Sequence, residues 1–65
     1  MSNLTRIAVL GATGRMGRAI IQTVVQTPEV TLTAALDRAG NPLLGQDAAA
    51  QAGLAPVGVQ VTDDL

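Results

Sequence analysis

The stretch Thr5-Arg6-Ile7-Ala8-Val9-Leu10-Gly11-Ala12-Thr13-Gly14-Arg15-Met16-Gly17 decides how the rest of the chain is read. Ile7-Ala8-Val9-Leu10 is apolar on both faces and closed by Gly11, the pattern of a buried parallel strand, which we start at Thr5 or Arg6. From Arg15 the apolar period changes to that of a helix. Met16, Ala19, Ile20 and Val24 fall on one side, Ile21 and Val25 widen the stripe, and Arg18, Gln22 and Gln26 lie towards the other side. Between the two elements, glycines recur at positions 11, 14 and 17. Such a turn aims backbone N–H groups and the positive end of a helix dipole at one point, a natural seat for a phosphate or pyrophosphate.

Working outward, Pro28 disfavours helical geometry at Thr27, so the helix is expected to stop near Gln26. Val30-Thr31-Leu32-Thr33-Ala34-Ala35-Leu36 reads as a second strand ending at Asp37. Gly40, Asn41, Pro42 and Gly45 make residues 38–45 a loop, which Leu43 and Leu44 pin to the domain. Asp47 is placed to cap a short helix over Ala48-Ala49-Ala50-Gln51-Ala52, closed by Gly53. Val57, Val59 and Val61 alternate as a third strand. Thr62-Asp63-Asp64 resembles the start of another helix, which Leu65 would continue. The fold class is therefore α/β, the incomplete first half of a doubly wound, Rossmann-type parallel sheet in the order β-α-β-(short helix)-β. The first strand is expected at its edge.

The turn has the spacing Gly-x-x-Gly-x-x-Gly, with Thr13 where the commoner dinucleotide fingerprint has its middle glycine. Gly11 suits the tight turn, Gly14 the close approach to a pyrophosphate and Gly17 the packing of helix on sheet. The bland alternative is a βα turn that binds nothing. A second feature argues against it: Asp37 ends the second strand twenty residues beyond Gly17, where a dinucleotide-binding domain places a carboxylate for the adenosine ribose hydroxyls. Arg38 beside it suits the 2′-phosphate of NADP, which Asp37 repels. The two opposing effects are each worth about 1–4 kcal/mol, so both NADH and NADPH are expected to bind. Arg15 can reach a phosphate, Met16 can pack on the cofactor or in the core, and Arg18 is expected to be solvated.

Composition removes other classes. The 65 residues hold four Arg and no Lys against five acidic residues, with no Cys, His, Phe, Tyr or Trp. That excludes disulfides, thiolate or imidazole metal sites, and the aromatic and basic surface of a nucleic-acid binder. No apolar run approaches the ~20 residues that span a bilayer, and no signal peptide is visible, which suits a cytoplasmic protein. A chain this short buries only about 60% of its unfolded surface, so it is read as the N-terminal part of a dinucleotide-binding domain whose partner domain lies elsewhere. In isolation it is expected to be loosely packed or partner-dependent.

These residues resemble the 4-hydroxy-tetrahydrodipicolinate reductase (dihydrodipicolinate reductase) family of lysine biosynthesis. The resemblance is carried by Gly11-Ala12-Thr13-Gly14-Arg15-Met16-Gly17-Arg18, Ala34-Ala35-Leu36-Asp37-Arg38, Leu44-Gly45-Gln46-Asp47-Ala48 and Val59-Gln60-Val61-Thr62-Asp63-Asp64-Leu65. Thr13 departs from a frequent Gly, and Asp37 from a frequent Glu. The resemblance implies a cytoplasmic, homotetrameric reductase that uses NADH or NADPH to reduce a cyclic dicarboxylate of the diaminopimelate route. It implies Gly11, Ala12, Thr13, Gly14, Arg15 and Met16 as dinucleotide-binding residues, Asp37 for the ribose and Arg38 for the 2′-phosphate. The catalytic residues and the substrate and tetramerisation domain would lie outside these 65 residues, so this chain alone is expected to be inactive. The alternatives are an atypical short-chain NAD(P)-dependent reductase and a non-catalytic dinucleotide-sensing module.

Overall fold

The computed structural model describes residues 4–64. Strand β1 (Thr5–Leu10) leads through the glycine turn into helix α1 (Arg15–Val25), strand β2 (Val30–Leu36), a single 3-10 turn (Ala50–Ala52) and strand β3 (Val61–Thr62). The sheet is parallel with order β1-β2-β3, so β1 stands at its edge among the described residues. The architecture is the incomplete Rossmann-like α/β arrangement expected from the periodicities.

Register is uneven. Ile7 pairs with Leu32 and Ala8 with Ala34, so Thr33 is an extra residue in β2. Its hydroxyl donates to the Ile7 carbonyl at 3.3 Å, supplying a donor where the ladder is interrupted. The bulge shifts side-chain alternation by one step, and this puts Leu32 and Ala35 in the same core with Val9, Ala12, Ile21, Val24 and Val61. Leu10 and Leu36 are register partners outside that cluster.

Three elements differ from the expectations. The packed face of α1 is Gly17, Ile21 and Val24, whereas Met16 is 76% and Ile20 41% exposed, and Ala19 is exposed as well. The expected stripe is thus rotated by one residue, because the helix meets the turn that precedes it at a glycine. The short helix is one 3-10 turn. Its Gly53 end has φ +88, and the Asp47 carboxylate takes the Ala49 and Ala50 N–H groups at 2.9 and 3.1 Å. The third strand begins at Val61, not Val57. The same Asp47 takes the N–H groups of Val57 and Gly58, at 3.0 and 2.7 Å to Oδ2. Residues 59–61 then bond back to 45–48 through Gly45 N to Val61 O, Val61 N to Gln46 O and Ala48 N to Val59 O. With Val57 and Gly58 held at Asp47, pairing with β2 is confined to Val61 and Thr62. Thr62 Oγ1 does accept from Asp64 N at 3.1 Å, but the helix expected beyond it would rest on Leu65, outside the described residues.

The helix sits on the turn without a side chain between them. A Cβ built on Gly17 would overlap the Gly11 carbonyl oxygen and lie 2.8 Å from Ala12 Cα. Gly17→Ala is therefore expected to cost roughly 2–3 kcal/mol, since backbone has to move. At Gly40, with φ +85 and open space around it, the same change is expected to cost about 1 kcal/mol of backbone strain only. Urea denaturation of the two variants of the intact protein measures the difference.

Candidate dinucleotide site

The turn after β1 is shaped by its own backbone. Gly11 has φ +65, which a side chain would strain, and its carbonyl accepts from Gly14 N at 3.0 Å. Ala12 is fully buried, donates its N–H to Leu36 O at 3.0 Å and receives Gln51 Nε2 on its carbonyl at 3.1 Å. Both of its polar groups are used inside the fold, so Ala12 anchors the turn and leaves other groups to meet a ligand.

Helix α1 starts with no cap. Gly14 occupies the N-cap with no side-chain bond, and the first turn contains no acidic residue. Among the described residues, the N–H groups of Arg15, Met16 and Gly17 have no acceptor. Ordinary helices satisfy these donors with Ser, Thr, Asp or Asn, and their absence leaves an electropositive seat of bare backbone. A Cβ on Gly14 would come within 3.3 Å of Gly11 O, so the turn is tight there too. Arg15 and Met16 are exposed beside it.

Asp37 is bound to this turn directly. Its Oδ2 accepts Thr13 N–H at 3.0 Å and Thr13 Oγ1–H at 2.6 Å, while Oδ1 accepts Arg38 N–H at 2.9 Å. Asn41 Nδ2 donates to Thr13 Oγ1 at 2.9 Å, and Leu43 N–H holds Asn41 Oδ1 at 2.8 Å. The Asp37 N–H reaches Thr62 O at 3.0 Å, tying the ends of β2 and β3 together. The hydroxyl of Thr13, then its N–H, then the Arg38 N–H hold the Asp37 carboxyl below its ordinary value, against a smaller opposing effect of burial.

Next to these groups lies an open hollow of about 480 Å³, lined by Leu10, Gly11 and Leu36 and by Asp37, Arg38, Ala39 and Asp63. Its size falls within the roughly 300–1,000 Å³ of small-molecule sites. Leu10 is 70% exposed there, and Arg38 is exposed as well.

The structure thus brings together the glycine turn, the helix start, Asp37 and Arg38. Asn41 and Asp63 were not anticipated. Asn41 was legible only as a loop residue, and Asp63 only as part of the start of another helix. Arg18 is not merely solvated, because its Nε donates to Gln51 Oε1 at 3.1 Å, and Gln22 Nε2 reaches Ala52 O at 2.8 Å. Both bonds fasten α1 to the 3-10 turn. Among the described residues there is no group of His, Cys, Asp and Glu able to hold a metal ion, and no helix long and apolar enough to cross a membrane.

The family profile described as "Dihydrodipicolinate reductase, N-terminus" matches residues 5–65. The chain is 62% identical over 60 residues to a 4-hydroxy-tetrahydrodipicolinate reductase of Ralstonia nicotianae. The proteins of the same name from Burkholderia pseudomallei and Bordetella parapertussis are 53% and 55% identical over 60 residues. In each case the match covers 92% of this chain and 22% of the relative, so the chain spans about a fifth of the length of the curated relatives it matches.

Two carboxylates should titrate low. At Asp47 burial acts to raise the value, but the N–H groups of Ala50, Gly58, Val57 and Ala49 outweigh it and lower it, as the Thr13 and Arg38 bonds do at Asp37. Groups whose folded values are depressed stabilise the fold above the unfolded value, here 3.8, and that contribution is lost as pH falls through the lowered folded values. Carboxyl-detected NMR titration is expected to show both Asp37 and Asp47 ionising below an unfolded Asp. Thr13→Val is expected to move Asp37 upward and leave Asp47 in place.

Proposed function

The chain belongs to the dihydrodipicolinate reductase family, and from that premise we propose that it is the NAD(P)H-binding portion of a reductase that reduces a cyclic dicarboxylate by hydride transfer in lysine (diaminopimelate) biosynthesis. The observation that carries this reading is the bond between Thr13 and Asp37. It ties the turn that launches an uncapped helix to a carboxylate that lines an open hollow together with Gly11 of the same turn.

The residues present fit a dinucleotide. The pyrophosphate seat is the N–H groups of Arg15, Met16 and Gly17, which no protein acceptor among the described residues takes and no acidic side chain of the first helical turn competes for. Charge-assisted hydrogen bonds of this kind are worth about 1.5–3 kcal/mol each, against about 0.3–1 kcal/mol for the helix dipole, so the bonds carry most of the affinity. Gly11 and Gly14 present bare backbone at their positions in the turn, and Arg15 adds a cation at its edge. Asp37 Oδ1 retains acceptor capacity for a ribose hydroxyl. The exposed guanidinium of Arg38 is placed for a 2′-phosphate, and the apolar lining from Leu10 and Leu36 suits the adenosine.

When bound, the nicotinamide supplies the hydride. The part of this chain is positional: by holding the adenosine and pyrophosphate end it fixes where the reactive end points. By the family resemblance the acid–base residues lie outside these 65, and the 65 residues alone are expected to be inactive. Homotetramer formation, the dicarboxylate substrate and a cytoplasmic location belong to the same proposal.

Calorimetric titration of the intact protein is expected to give NADH and NADPH dissociation constants within about tenfold of each other, because attraction to Arg38 and repulsion by Asp37 are of similar size. A thousand-fold preference for either would refute the balance. Arg38→Ala is expected to weaken NADPH by about 10- to 150-fold and to leave NADH nearly unchanged.

A further inference from the structure

We infer that Thr13, oriented by Asn41, leaves Asp37 a single free acceptor position, and that Thr13 is thereby the residue that sets how the site divides between ribose and 2′-phosphoribose. This rests on the dinucleotide reading above and adds a specificity role that the glycine turn by itself does not carry.

A carboxylate offers about four lone-pair positions. Asp37 Oδ2 already receives two donors, the Thr13 N–H at 3.0 Å and the Thr13 hydroxyl at 2.6 Å. Oδ1 receives the Arg38 N–H at 2.9 Å, which leaves one position. The hydroxyl cannot turn elsewhere without loss. It has one proton, and its oxygen accepts from Asn41 Nδ2 at 2.9 Å, so the proton is committed to Asp37. Asn41 is fixed in turn by Leu43 N–H on its Oδ1 at 2.8 Å. Every group in this partly buried chain has its direction set by the next.

The consequence is a matter of counting. An unphosphorylated ribose brings two hydroxyl donors, and Asp37 accepts one. A 2′-phosphorylated ribose brings one, the 3′-hydroxyl, and Asp37 accepts it equally. The usual hydrogen-bond advantage of the unphosphorylated sugar at such a carboxylate is cancelled, and only charge remains to discriminate. Arg38, whose guanidinium is exposed beside the same carboxylate, opposes that charge effect. Removing the Thr13 hydroxyl frees a second position on Oδ2, which a ribose with both hydroxyls can use and a 2′-phosphoribose cannot.

The test is the ratio of NADH to NADPH dissociation constants, measured by titration calorimetry on the intact protein. Thr13→Val is expected to shift that ratio towards NADH by about tenfold, the value of one charge-assisted hydrogen bond, and Thr13→Ser, which keeps the hydroxyl, to restore it. Thr13→Gly removes the same hydroxyl without placing an apolar side chain against Asp37, and must shift the ratio in the same direction even if the valine variant folds poorly. A loss of stability alone would weaken both cofactors together and leave the ratio where it was. An unchanged ratio in the valine or glycine variant, or a shift towards NADPH, overturns the inference. Binding of neither cofactor by the unmodified protein would instead overturn the dinucleotide reading on which it rests.

Discussion

Gly17 lies directly against the carbonyl of Gly11, and the position of everything else at this end of the sheet follows from that contact. With no Cβ between them, α1 settles onto the turn that launches it, and its first N–H groups come to stand just past the ends of the strands. A residue of any other kind at position 17 would force the helix start off the backbone of Gly11 and Ala12. Thr13, which reaches Asp37 at 3.0 and 2.6 Å, is the next residue of that same turn. One missing methyl group therefore links the packing of the helix to the reach of a carboxylate twenty residues further along.

Two aspartates do comparable work with different outcomes. Asp47 gathers the N–H groups of Ala49, Ala50, Val57 and Gly58, closing the excursion between β2 and β3 around one side chain. It has little acceptor capacity left to offer a ligand, which suits a structural role. Asp37 gathers three donors and sits on the wall of an open hollow, with one position unfilled. Saturation and location, more than burial or charge, distinguish the two.

The parts legible in the sequence were those whose signal is local. A continuous apolar run, a change to helical period and a third glycine in register are enough to read strand, turn and helix, and a carboxylate at the end of β2 follows from counting along the chain. The packed face of α1 was not legible, because its point of closest contact is a glycine, which hydropathy treats as neutral. Met16 and Ile20 outweighed Gly17 in that reading, although they face outward. The length of β3 was not legible either. The chain before Val61 is held at Asp47 and along residues 45–48, and nothing in Val57-Gly58-Val59 announces those partners. Asn41 meets Thr13 across 28 residues through a loop whose residue types predict a turn and nothing about what it touches.

The absence of aromatic residues bears on how stiff the site is. Ala12, Ala35, Ala48, Ala49 and Ala52 are all buried, and so small a core brings backbones close without much dispersion to hold them. Side-chain amides make up part of the difference: Gln51 bridges Ala12 and Ala48 carbonyls while receiving Arg18, and Gln22 clasps Ala52. Such bonds have directions that apolar contacts lack, so they fix the turn's orientation as well as its distance. Among the described residues, the carbonyl of Ala12 is thereby tied to the 3-10 turn, its N–H to β2, and its neighbour Thr13 to Asp37. A turn held from three sides by hydrogen bonds needs little reorganisation to receive a pyrophosphate, and low reorganisation is what converts a few bare N–H groups into useful affinity.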